Sequence, residues 1–261
     1  MERRQASWGV MKVNYRTKMW VAGWLTGILG WGAEPAIIAK ARLFLGEEAA
    51  LNRITSVHYE GSLVTAALRV GEPEVRSALD IVYQKPDRQR VMASSATIVE
   101  VTALDGYDGW QRIEDLKDVA KWRQTLLGRE QIKRLRANTW ENLAYFRGIE
   151  RVGGKLEDQG GRPIDGIACR KIAFVHGPGI TFFRYFEEAT GRLVLTETEA
   201  GGTIREVGET RVGGVRFPKS IITTTQTVTG ETQTVTLIFE KITVNEARDG
   251  AWFAIPRLAP R

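Results

Sequence analysis

The sequence predicts an α+β domain, a long antiparallel sheet with amphipathic helices laid against it. Three observations predict it. From residue 169 onward, strand-like runs rich in Thr, Val and Ile recur every ~8–12 residues with Gly-containing turns between them. Two stretches, 36–54 and 116–147, space their apolar residues by three and four, the period of a helix face. No low-complexity tract or long linker divides the chain after residue 33, so 34–261 reads as one domain with a helical insert at 116–147.

The first 33 residues read differently. "MWVAGWLTGILGW", Met19 to Trp31, follows Arg3, Arg4, Lys12, Arg16 and Lys18 and leads into Gly32 and Ala33. A basic head, a short apolar middle and a small-residue exit mark a secretory signal peptide. The run falls short of the ~20 apolar residues of a spanning helix. An uncleaved N-terminal anchor and a buried helix are the alternatives. Export places the working domain outside the cytoplasm.

The charge follows from the same division. The chain carries +6, but five Lys/Arg against one Asp/Glu in the first 33 residues account for +4, leaving +2 for the rest. A domain that balanced has no electrostatic footprint for nucleic acid. The single cysteine, Cys169, has no partner for an internal disulfide and sits in the apolar run "GIACRKIAFV", as a small buried hydrophobe would.

Each element has its own justification. Ile37, Ala41, Phe44 and Leu45, then Ala49, Leu51 and Ile54, form a helical stripe interrupted at Gly46. "SVHYEGSLV" alternates Val57, Tyr59, Gly61 and Leu63 against Ser56, His58, Glu60 and Ser62, a strand with one polar face. "SALDIVYQKPDRQRVMA" is strand, turn, strand, because Pro86 cannot donate within a ladder. "TIVEVTALDGYDGW" turns at Gly106. Ile132, Leu135, Thr139, Leu143 and Phe146 form the apolar face of a helix whose other face carries Arg129, Lys133, Arg134 and Arg136. "RVGGKLEDQGG" is a loop by its glycines; strands follow through "IACRKIAFV", "ITFFRYF", "RLVLTETEA", "TIREVGETR", "VRFPKSIITTTQTV" and "TQTVTLIFEKITVN", with "DGAWFAIP" last.

A search for chemistry returns little. His58 and His176 are the only histidines and neither has metal-ligand spacing; no nucleophile elbow or phosphate loop is present. Asp105 and Asp108 in "LDGYDGW" are turn carboxylates in a loop too short for a calcium cage. What stands out is surplus apolar surface. In "ITFFRYF", Phe183 and Tyr185 share one parity and Phe182 and Phe186 the other. In "TVTLIFEKI", Val235, Leu237 and Phe239 are opposed by Ile238 and Ile242. Strands with two apolar faces meet something apolar on both sides: helices, the far wall of a curved sheet, or a ligand.

The ordered set "AKARLFLGEEAALNRITSVHYEG", Lys85-Pro86, "DGYDGW", a helical insert, "FEEATGRLV", "RVGGVRFPKSI" and "ITVNEARDGAWFAIP" resembles the outer-membrane lipoprotein-sorting proteins, the LolA-like carriers, with LolB and RseB as related folds. The resemblance spans about residues 36–256. It implies a strongly curved antiparallel sheet, an incomplete barrel with helices covering its open side. It also implies a non-catalytic protein without cofactor that shelters acyl chains of lipid or lipoprotein and deals with inner- and outer-membrane sorting partners. An envelope sensor or scaffold of the same fold, binding proteins, is the alternative. The cavity-lining candidates are Tyr83, Phe174, Phe183, Tyr185, Val235, Leu237 and Phe239.

Overall fold

The computed structural model describes residues 34–67, 73–227 and 229–257, so the signal-like run lies outside the described residues. Helix α1 (Ala36–Leu45) buries Ile37, Ile38 and Ala41, and Gly46 separates it from α2 (Glu48–Arg53). Six strands follow: β1 (Ser56–Thr65), β2 (Val75–Gln84), β3 (Arg88–Ser94), β4 (Ile98–Asp105), β5 (Asp108–Asp115) and β6 (Trp122–Leu126). Helix α3 (Arg129–Leu143) leads to β7 (Lys155–Gly161), β8 (Cys169–Gly177), β9 (Ile180–Glu187), β10 (Leu193–Thr198) and β11 (Thr203–Val207). The chain ends with the hairpin β12 (Thr210–Val212) and β13 (Val215–Phe217), then β14 (Ser220–Gln226) and β15 (Thr232–Val244).

Thirteen strands form one antiparallel sheet in the order β6-β5-β4-β3-β2-β1-β15-β14-β11-β10-β9-β8-β7, and β12-β13 stands apart. The sheet is therefore two meanders, joined where the first strand pairs with the last. It is not closed: β6 and β7 are free edges. It is strongly curved, and α3 demonstrates this. Thr139 of α3 donates to Gln89 of β3 at 3.0 Å, while Glu141, two residues on, meets His176 of β8 at 2.6 Å. Those strands lie eight places apart in the sheet, roughly 38 Å if flat at ~4.8 Å per strand. Only a sheet curled around the helix brings both within reach.

The helices divide the concave face between them. α3 lies on β2 to β5. α1, with Phe146 and Ile149 just after α3, seals an aromatic cluster on β8 and β9. α2 and the β12-β13 hairpin cover the start of β1 and the end of β15, where Val57, Tyr59, Val215 and Phe217 are buried. On the convex face, the segment after β15 straps β3 to β5: Phe253 is fully buried there and its carbonyl accepts from Trp110 Nε1 at 2.9 Å.

Two glycines mark close approaches. A Cβ on Gly61 would sit 1.9 Å from the Ile238 carbonyl oxygen, where β15 carries a bulge against β1. Gly191, at φ +81°, turns β9 into β10 with its α-carbon against the backbone of Lys40 and Ala41 in α1.

Three expectations change. The helical insert of 116–147 is shorter: 122–126 is an edge strand, and the helix starts at Arg129 after Gly128. Strand β6 joins by backbone pairing to β5 with its side chains mostly exposed, so it has no alternation to read. "KLEDQGG" is strand β7 and not a loop, its glycines absorbed in a register shift between Asp158 and Gly161. "DGAWFAIP" is not a strand but the strap, with Asp249 capping the short 3-10 helix Gly250–Trp252.

Candidate functional site

The coverings leave one part of the concave face without a helix: β11, β14 and the far halves of β1 and β15. Cross-strand register defines its lining. One row runs Leu63, Leu237, Ile221, Glu206. The next runs Thr65, Val235, Thr223, Ile204, Thr196, Arg184, Ile172. Val235, Leu237, Ile221 and Ile204 are only half-buried, unlike the sealed residues under α1. Leaving them so forgoes the ~25 cal/mol per Å² that closure would supply. The result is an apolar trough, open to solvent, beside a packed core.

Four of the seven candidate residues line this face together. Tyr83 of β2 and Val235, Leu237 and Phe239 of β15 join one apolar cluster with Tyr59 and Phe217. The Phe239 ring lies 4.5 Å from Tyr59, centroid to centroid. Phe174 also faces inward but is fully buried under α1 with Phe146 and Phe186, away from the open trough. Phe183 and Tyr185 point the other way. They sit on the convex face with Cys169, Val194 and Leu195, and the Lys171 ammonium caps their rings at 4.4 and 5.2 Å. In β9 the inward residues are Phe182, Arg184 and Phe186, in register with Phe174, Ile172 and Arg170 of β8. Both parities of "ITFFRYF" are apolar, so alternation alone could not choose between them. In β15 the bulge beside Gly61 restores Ile242 and Val244 to the inner face after Phe239, so Ile242 does not oppose Phe239 as strict alternation would require.

Two of the polar places in this interior border the trough rows. Glu141 of α3 bonds His176 at 2.6 Å and also meets Arg184, and all three side chains are buried. The Arg184 guanidinium lies over the rings of Phe146 and Phe174, each at 4.8 Å. No motif spacing connects residues 141, 176 and 184, and a sequence reading misses the trio. The second place is Glu206, exposed to the trough yet enclosed by protein. Desolvation raises its pKa above the ordinary carboxylate range, with Arg184 pulling the other way. Burial also lifts the phenols: Tyr59 well above its usual value, with Tyr145, Tyr83 and Glu206 adding to it, and Tyr83 to about 12. These rings stay neutral at all physiological pH.

A pH dependence follows. A carboxyl whose folded pKa is raised favours the protonated fold, so its contribution is best below the ordinary range and is lost as pH rises through the raised value. Thermal melts from about pH 4 to pH 7 should show the wild type losing slightly more stability than Glu206→Gln, the effect kept small because water in the open trough screens the carboxylate. Parallel curves would show that Glu206 is not desolvated.

Both histidines are hydrogen-bonded to carboxylates. His58 holds Asp80 at 2.8 Å through Nε2 and Arg248 at 3.2 Å through Nδ1, on the convex side under the strap. His176 holds Glu141. Asp105 spends its carboxylate on Arg88 at 2.7 Å. Cys169 is buried, and desolvation pushes its thiol pKa up, the opposite of an activated nucleophile.

Comparison with solved structures agrees with this architecture. A DUF1329 family protein from Desulfovibrio piger superposes with a TM-score of 0.54 at 10% identity, covering 84% of this chain and 96% of that one. A LolA superfamily protein from Nitrosomonas europaea gives 0.53 at 14% identity with the same coverage. This chain has the LolA-like fold. An outer membrane lipoprotein-sorting protein domain from Vibrio parahaemolyticus gives 0.51 at 8% identity over 83% of this chain and 94% of that one. No family model and no curated protein matches the sequence. The LolA-like fold here is the incomplete barrel expected from the sequence, with its open concave face and helical cover. No described helix is long and apolar enough to cross a membrane.

Proposed function

We propose that this protein is a non-catalytic carrier that shelters acyl chains in its concave trough, in lipid or lipoprotein sorting to the outer membrane. The observation that carries this reading is the strip of half-buried aliphatic side chains, Ile204, Ile221, Val235 and Leu237, left uncovered between helix-covered regions. Each methylene moved out of water onto such a strip gains about 0.8 kcal/mol, so even a partial chain is held. Because part of the trough is open, the chain can leave again. Export by the N-terminal signal and work in the periplasm, with membrane-bound partners on either side, belong to the same proposal. The engagement of both histidines in structural hydrogen bonds to Asp80, Arg248 and Glu141 supports a role without catalysis.

The test uses the full chain, delipidated, and a fluorescent fatty-acid probe. Leu237→Glu places a charge in the trough and should weaken binding at least tenfold, about 1.4 kcal/mol. Phe183→Glu, on the convex face, should leave it within twofold. Equal loss from both, or no probe binding by the wild type, would sink the carrier reading.

A second reading has one observation in its favour. The β6 edge exposes Val119 at 89%, Leu126 at 64% and Trp122 at 41%, a surface suited to a protein partner. A scaffold of this kind would pull down an envelope protein in a Trp122-dependent manner and bind no probe.

A further inference from the structure

A groove of about 550 Å³ opens between α3 and the β8-β9 hairpin, separate from the trough lining. Its walls combine two chemistries. Ile132, Trp140 and Ile180 supply apolar surface, while Arg129, Lys133 and Arg136 stand along the same side of α3. The one carboxylate in the lining, Asp87, is taken by Arg136 at 2.8 Å, and Arg136 also stacks on Tyr107. Lys133 meets only Glu130, one turn away and in solvent, a pairing of little strength. Arg129 makes no ion pair with any described residue. The groove thus keeps a positive excess beside an apolar floor. Trp140 carries that floor inward, since its ring meets Phe174 of the aromatic core at 6.3 Å.

We propose that this groove binds the head of an anionic amphiphile. A phosphate or carboxylate lies on Arg129 and Lys133, and the first methylenes of its chain lie on Ile132, Trp140 and Ile180. The charge complementarity selects this occupant: a neutral or zwitterionic head gains little net from the unpaired Arg129 and the weakly paired Lys133, whereas charge-assisted hydrogen bonds to an anion are strong. The inference rests on the acyl-carrier reading and adds a head-group preference to it.

Calorimetric titration of the full chain tests it, with lysophosphatidylglycerol, lysophosphatidylcholine and a fatty acid of equal chain length, all below their micelle concentrations. The wild type should bind lysophosphatidylglycerol at least tenfold more tightly than lysophosphatidylcholine. Arg129→Gln combined with Lys133→Gln should erase that preference, leaving lysophosphatidylcholine within twofold. Both positions are exposed, so folding is not at risk. Fatty acid bound as tightly as lysophosphatidylglycerol supports the proposal with a carboxylate head, and weaker fatty acid supports it with a phosphate head. Equal affinities that the double variant leaves unchanged overturn the head-group site but not the carrier. Binding of none of the three overturns both.

Discussion

Phe174→Ala should lower the free energy of unfolding by about 3–5 kcal/mol. Phe174 is fully buried and meets Phe146, Phe186 and Trp140 at ring-centroid distances of 6.1, 6.4 and 6.3 Å. Removing it deletes an aromatic side chain and leaves a cavity whose walls cannot collapse. α1 is tied on one side by the Gly191 turn, and Arg184 lies over the same ring on the other. Arg184 also loses one of its two aromatic partners. Urea unfolding followed by fluorescence would measure the change. A loss below ~1 kcal/mol would mean that the α1 region is loosely packed and able to fill the space. Phe183→Ala makes the contrast: on the convex face and half-exposed, it should cost much less.

Glu141→Ala should be comparably damaging, about 3–5 kcal/mol, for an electrostatic reason. The carboxylate is shared by His176 and Arg184, and all three side chains are buried. Its removal leaves a buried guanidinium facing only rings and a histidine without its partner. The tie is also mechanical, because Glu141 belongs to a helix lying on β2 to β5 and grips strands from the far side of the sheet. Amide exchange in α3 should therefore accelerate with the loss in stability. Replacing the trio together by Leu, Phe and Met should recover most of the loss, since the penalty comes from an orphaned charge and not from the absence of ions. If the single variant were as stable as the triple, the trio would carry no energy.

Much of the fold was legible. The break in the first helix fell at Gly46, and turns were placed at Pro86 and Gly106 by the backbone needs of those residues. The alternation of Val57, Tyr59 and Leu63 identified an inward face that the structure retains. Strand β6 was not legible because an edge strand is held by hydrogen bonds and needs no apolar pattern. Of the candidate cavity residues, Tyr83, Val235, Leu237 and Phe239 share the concave face. Phe183 and Tyr185 were placed on the wrong side, because β9 is apolar on both faces and Lys171 covers the outer one.

The sequence by itself determined most of the strands and helices, with β6, β7 and the strap as the exceptions, and that more apolar surface exists than one sheet face can hide. Those are local properties, set by residue type and its period along the chain. Only the tertiary structure decided that β1 meets β15, that a bulge reverses the parity of Ile242, and that Glu141, His176 and Arg184 converge. These depend on contacts between residues far apart in the chain, made when a curling sheet brings its two ends around one helix. No single segment records that curvature, because it is a sum over thirteen strands.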